Sequence, residues 1–128
     1  MNLNGKNIVV TGGASGIGRA MAKRFIAEGA AQVVIADING DVLAEVANEI
    51  GARAITTDVS KESDVINLIR KTESDYGHID LLCNNAGIGV GAGPETPNED
   101  WQRIWEINVM SHVYGARAAL PAMLARGQ

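Results

Sequence analysis

The sequence predicts an α/β fold, a doubly wound parallel sheet with helices layered on it. Short apolar, β-rich runs alternate with segments of helical period along most of the 128 residues. Short connections join them, and such strand–helix–strand repetition pairs strands in parallel through right-handed crossovers. The 15 glycines sit at the ends of apolar runs, where backbone turns or lies close to something else. No internal repeat interrupts the pattern, so residues 1–128 read as one domain.

In order along the chain, Lys6 to Thr11 (KNIVVT) reads as a first, buried strand. Gly16 to Glu28 follows as a helix with Ile17, Ala20, Met21, Arg24 and Phe25 at helical spacing. Gln32 to Ala36 (QVVIA) is a second strand closed by Asp37, and Gly40 to Ile50 a helix with Val42, Leu43, Val46 and Ile50 on one face. Arg53 to Thr57 (RAITT) is a third strand. Ser60 to Tyr76 is a helix for which Ser60 supplies the cap, with acids in the first turn. Ile79 to Asn84 is a fourth strand, its Leu81, Leu82 and Cys83 suited to cover on both faces. A loop rich in Gly and Pro spans Ile88 to Pro97. Asn98 to Arg126 is then mostly helical, two helices meeting near Glu106, with Pro121 expected to kink the second. Trp101 and Trp105, four apart, read as packing anchors. A crossover helix with no strand after it makes the domain read as incomplete at its C-terminus, truncated before a fifth strand. The outer edge of the fourth strand is therefore expected to meet further polypeptide or a second copy, or else to leave the chain poorly soluble.

The bulk numbers narrow the function classes. The composition, 46% hydrophobic and 20% charged, is that of a soluble globular domain. A net charge of −4 with no run of Lys or Arg argues against a nucleic-acid partner. No stretch approaches the ~20 apolar residues of a membrane span, and no secretory h-region follows the polar start, so neither a membrane nor export is expected. One cysteine, Cys83, allows no internal disulfide and fits a reducing, cytoplasmic setting. Lying in an apolar run, it reads as a buried inert thiol. Two histidines, His78 and His112, are too scattered to suggest a metal site.

Chemistry concentrates where strands end. The first strand runs into Thr11-Gly12-Gly13-Ala14-Ser15-Gly16-Ile17-Gly18, a T-G-x-x-x-G-x-G turn. Glycines there let the backbone turn and let a diphosphate approach, while the helix starting near Gly16 points free N–H groups at negative charge. Gly18 lets that helix pack closely. Asp37 lies 19 residues after Gly18, where a carboxylate accepts both hydroxyls of an adenosine ribose and repels a 2′-phosphate. Ser15 and Ile38 carry no charge, and Arg19 is the one nearby cation for such a phosphate, so NAD is the expected cofactor. Asp58, after the third strand, could accept an exocyclic adenine amine or serve in a helix cap. Asn84-Asn85-Ala86-Gly87 closes the fourth strand with small residues that leave room for a ribose, and an asparagine there can tie two strand ends together.

Together these segments, with Trp101-Gln-Arg-Ile-Trp-Glu-Ile-Asn108-Val109, resemble the short-chain dehydrogenase/reductase family over almost the whole chain. The resemblance implies a Rossmann-like sheet ordered 3-2-1-4, NAD(H) across its carboxyl edge, and hydride transfer between nicotinamide and a small-molecule alcohol or carbonyl. By position it gives the diphosphate to Gly12, Ser15, Gly16, Ile17 and Gly18, and the ribose to Asp37. The adenine goes to Asp58 and Val59, and the cofactor's centre to Asn85, Ala86 and Gly87. Asn108 becomes the catalytic-site asparagine that anchors a proton-relay water, and the last helices become part of a homo-oligomer interface. The family's serine and Tyr-x-x-x-Lys have no counterpart: the two tyrosines, Tyr76 and Tyr114, are followed four residues on by Asp80 and Ala118. These 128 residues alone are thus expected to be inactive, and a non-catalytic dinucleotide-binding module stays open beside the oxidoreductase. A methyltransferase is a third class, against which the T-G-x-x-x-G-x-G spacing and the Asn84–Gly87 segment count.

Overall fold

Four short parallel strands lie between two helical layers in the computed structural model, which describes residues 1–91 and 93–127. Ala92, inside the expected loop, and Gln128, the last residue of the expected domain, lie outside them. The strands are β1 (Asn7–Thr11), β2 (Gln32–Asp37), β3 (Arg53–Thr56) and β4 (Leu81–Cys83), in the order β3-β2-β1-β4. Register is set by matched apolar residues: Val9 lies opposite Val34 on one side and Leu82 on the other. The β-branched residues of β1 and β2 suit a pleated surface covered from both sides, and Ile8, Val9, Val10, Val34 and Ile35 have no exposure.

Side chains alternate between the faces of the sheet. Ile8, Val10 and Ile35 meet Ala22 of α1 (Gly16–Ala27) and Leu43, Val46 and Ala47 of α2 (Gly40–Ile50). Val9, Val34 and Ile55 meet Leu68 and Ile69 of α3 (Glu62–Tyr76) on the other face. Helix α2 is capped by Asn39, whose Oδ1 accepts the Val42 N–H at 3.3 Å, and ends at Gly51 in the left-handed region.

Residues 98–126 form a longer assembly than two meeting helices. Helix α4 (Asn98–Trp105) passes through a π-helical segment at Glu106–Met110 into α5 (Ser111–Arg126) without a break. The Ser111 N–H donates to the Glu106 carbonyl, five residues back. The helix runs on through Pro121, and its Ala119 reaches the core beneath α3's face of the sheet.

Two packing expectations are corrected. Trp101 and Trp105 are about half exposed and do not anchor the packing of α4. Leu81, Leu82 and Cys83 are only half-buried: Leu81 and Cys83 pack on the α1/α2 side and Leu82 on the α3 side, but β4 is the edge of the sheet. Among the described residues no helix is long and apolar enough to cross a membrane.

Candidate functional site

A cavity of about 420 Å³ opens along the carboxyl edge of the sheet. Parallel strands deliver their ends to one edge, so segments far apart in sequence line it together. Gly12, Ser15, Gly16 and Ile17 come from the turn after β1, and Asp37 and Ile38 from the end of β2. Thr57, Asp58 and Val59 follow β3, Asn85 to Ile88 follow β4, and Arg103 and Ile107 descend from the last helical assembly.

At Gly12 and Gly18 the glycine turn is shaped by contacts that admit no side chain. Gly12 has φ +69°, and a Cβ on it would lie 2.9 Å from the Ala86 Cα. A Cβ on Gly18 would overlap the Gly12 carbonyl oxygen and press on the Asn85 amide. Close packing at Gly18 is therefore against the turn itself, and Gly18 does not line the cavity. Ser15 stands at the α1 N-cap position with no side-chain cap hydrogen bond. Its hydroxyl and the first amides of α1 thus end at the cavity. Ile17, counted among the helix's apolar face, is 73% exposed and lines the cavity instead of the core.

Thr11 and Asn85 knit β1 to β4. The buried Thr11 Oγ1 accepts the Asn85 N–H at 3.0 Å and the Ala86 N–H at 3.1 Å, and it donates to the Cys83 carbonyl at 3.4 Å. Asn85 Nδ2 returns a bond to the Thr11 carbonyl at 3.0 Å. The expected tie between strand ends exists, and Asn85 makes it. The part of Thr11 was not legible in sequence, although its place before the glycine turn marked it. Burial pushes the Cys83 thiol up, consistent with an inert side chain.

Both carboxylates are held in place. Asp37 accepts the Ala14 N–H at 3.2 Å and the Asn39 N–H at 3.3 Å, which fixes it between the glycine turn and the start of α2. The Ser60 hydroxyl, donating to Asp58 Oδ1 at 2.6 Å, holds the Asp58 carboxyl below its ordinary value against some desolvation, with help from the Ser60 N–H and Lys61. Ser60 is therefore not the cap of α3: the helix begins at Glu62, and Asp64 accepts the Asp58 N–H at 3.0 Å. A neighbouring carboxylate captured the hydroxyl that the sequence had offered to the helix.

Asn108 lies in the π-helical segment and grips Ile88 through both ends of its amide. Its Nδ2 donates to the Ile88 carbonyl and its Oδ1 accepts the Ile88 N–H, each at 2.8 Å. That clamp positions the wall formed by Gly87 and Ile88. The cation at the cavity is not the one the sequence offered. Arg19 pairs with Glu49 on α2 at 2.5 Å and does not line the cavity, whereas Arg103 does.

A family model described as short chain dehydrogenase matches residues 6–128. Tropinone reductase-like 1 of Erythroxylum coca is 43% identical, covering 95% of this chain and 47% of its own length. The 1-deoxy-11-beta-hydroxypentalenate dehydrogenase of Streptomyces exfoliatus is 40% identical over 100% of this chain and 49% of its own. The crystal structure of a short chain dehydrogenase/reductase from Burkholderia phymatum in complex with NAD superposes with a TM-score of 0.93 at 34% identity. It covers 100% of this chain and 47% of that one. The chain spans about half the length of the curated relatives it matches.

Proposed function

The chain belongs to the short-chain dehydrogenase family, and from that premise we propose that its cavity takes NAD(H), in preference to NADP(H), in an oxidoreductase acting on a small alcohol or carbonyl. The observation that carries this is one cavity presenting a glycine turn and helix N-terminus together with two anchored carboxylates. Free amides and the Ser15 hydroxyl suit a diphosphate. A Cβ on Gly16 would meet nothing within 4 Å, which leaves the space that a diphosphate needs beside Gly12 and Ile17. Asp37, oriented by two N–H groups, suits a ribose diol, and Asp58 with Val59 an adenine edge. Asn85, Ala86 and Gly87 border the centre of the cofactor. When bound, the nicotinamide would supply hydride chemistry. Asn108 acts as a positioning residue: beyond its Ile88 clamp, the amide keeps one N–H and one lone pair with which to hold a water.

Cofactor choice rests on Asp37. A 2′-phosphate would meet this carboxylate, while Arg19 is engaged by Glu49. NADH is expected to bind at least tenfold more tightly than NADPH in fluorescence titrations, and Asp37→Ala to narrow that ratio. Equal or tighter NADPH binding by the unaltered protein refutes the preference.

The last helices carry a second proposal, a homo-oligomer. Trp101, Trp105, Val109, Val113, Leu120 and Leu124 are exposed at near-helical spacing, more apolar surface than a lone helix in water usually shows. Sedimentation should give a dimer or larger, and Trp105→Glu should shift it toward monomer. A monomer at tens of micromolar speaks against this interface.

A further inference from the structure

Resting on the reading that the cavity holds an adenine dinucleotide, we propose that Arg103 covers the adenine, its guanidinium stacked on the purine face. Arg103 is the only cationic side chain lining the cavity among the described residues. None of the ion pairs among those residues involves it. The carboxylates that share the cavity are engaged elsewhere: Asp58 with Ser60 and Lys61, Asp37 with backbone N–H groups. Arg103 is thus exposed, lines the cavity and is in none of these ion pairs, which leaves its guanidinium available to a ligand there.

The chemistry of the lining favours the adenine. Arg103 and Ile107 are four apart on one helical assembly, so their side chains lie one above the other on the same face. Ile107 and Val59 give the cavity apolar walls, and Asp58, beside Val59, offers the acceptor for an exocyclic amine. A purine whose amine met Asp58 would lie in the same cavity that Arg103 and Ile107 line. A guanidinium is planar and weakly hydrated, and it stacks on aromatic faces where an ammonium does so less well.

The test compares NADH, AMP and NMN binding by calorimetry in the unaltered protein, Arg103→Met and Arg103→Lys. Cation–π contacts at exposed sites correspond to about a two- to fivefold change in dissociation constant. Arg103→Met is expected to weaken NADH and AMP by that factor and leave NMN unchanged; Arg103→Lys is expected to fall between it and the unaltered protein. Equal weakening of AMP and NMN would mean that Arg103 acts on phosphate charge, and the stacking proposal fails. Unchanged AMP binding in both variants also overturns it. If Arg103→Met loses its cooperative unfolding transition, Arg103→Lys decides by the same AMP-to-NMN comparison. Absence of NADH binding in the unaltered protein would refute the cofactor reading itself, a result distinct from failure of Arg103 alone.

Discussion

Replacing Thr11 by Val tests whether one hydroxyl joins the sheet to the cavity. The two side chains have nearly the same shape, so no cavity opens, but the backbone N–H groups of Asn85 and Ala86 lose their acceptor at 3.0 and 3.1 Å. The hydroxyl's own donation to Cys83 is 3.4 Å long, beyond the usual range for such bonds, and contributes little. Two neutral hydrogen bonds are worth about 1 kcal/mol each, and donors left partly buried without partners add roughly as much again, giving a loss of about 2–4 kcal/mol. For a chain of this length that is a fall in Tm of roughly 8–15 °C. Urea denaturation with an unchanged m-value would read it directly. The same substitution frees the Asn85–Gly87 segment, so NADH affinity should fall with stability. Thr11→Ser keeps the oxygen and should restore binding while losing only about 1 kcal/mol for the methyl group. A Thr11→Val variant within ~0.5 kcal/mol of the parent, binding NADH normally, would refute the reasoning.

Gly18→Ala places a methyl group on the Gly12 carbonyl oxygen, contact with backbone that cannot swing aside. NADH binding should weaken more than tenfold, and a variant that binds normally would mean the turn can shift. Asp80 gives a pH dependence: it is only 5% exposed, and although burial opposes its charge, the Asn7 N–H at 2.9 Å and Lys6 at 3.2 Å hold its carboxyl below the ordinary value. A depressed pKa in the folded state means this stability is complete above the unfolded value and is lost as pH falls through the folded one. Unfolding free energy should therefore decline below about pH 4, and Asp80→Asn should flatten that decline while costing about 2–3 kcal/mol at neutral pH. An unaltered acid limb in Asp80→Asn would assign the effect to other groups.

The sequence by itself determined the order and type of the elements through β4, because period-2 and period-3.6 patterns and glycine punctuation are local properties. It also placed Gly12, Ser15, Gly16, Ile17, Asp37, Asp58, Val59, Asn85, Ala86 and Gly87 at strand ends, and parallel strands bring such ends to one edge, where all ten line the cavity. Tertiary structure decided what depends on partners distant in sequence. Ser60 looked like a cap, but the Asp58 carboxylate offered its hydroxyl a charge-assisted bond, and the helix began two residues later. Thr11 meets Asn85 across 74 residues, and no periodicity announces such a pairing. Trp101 and Trp105 fell on the outer side of their helix, while Arg103 and Ile107 fell on the cavity. That helical assembly carries a π-helical segment and the Asn108–Ile88 clamp, contacts that exist only once the chain has folded.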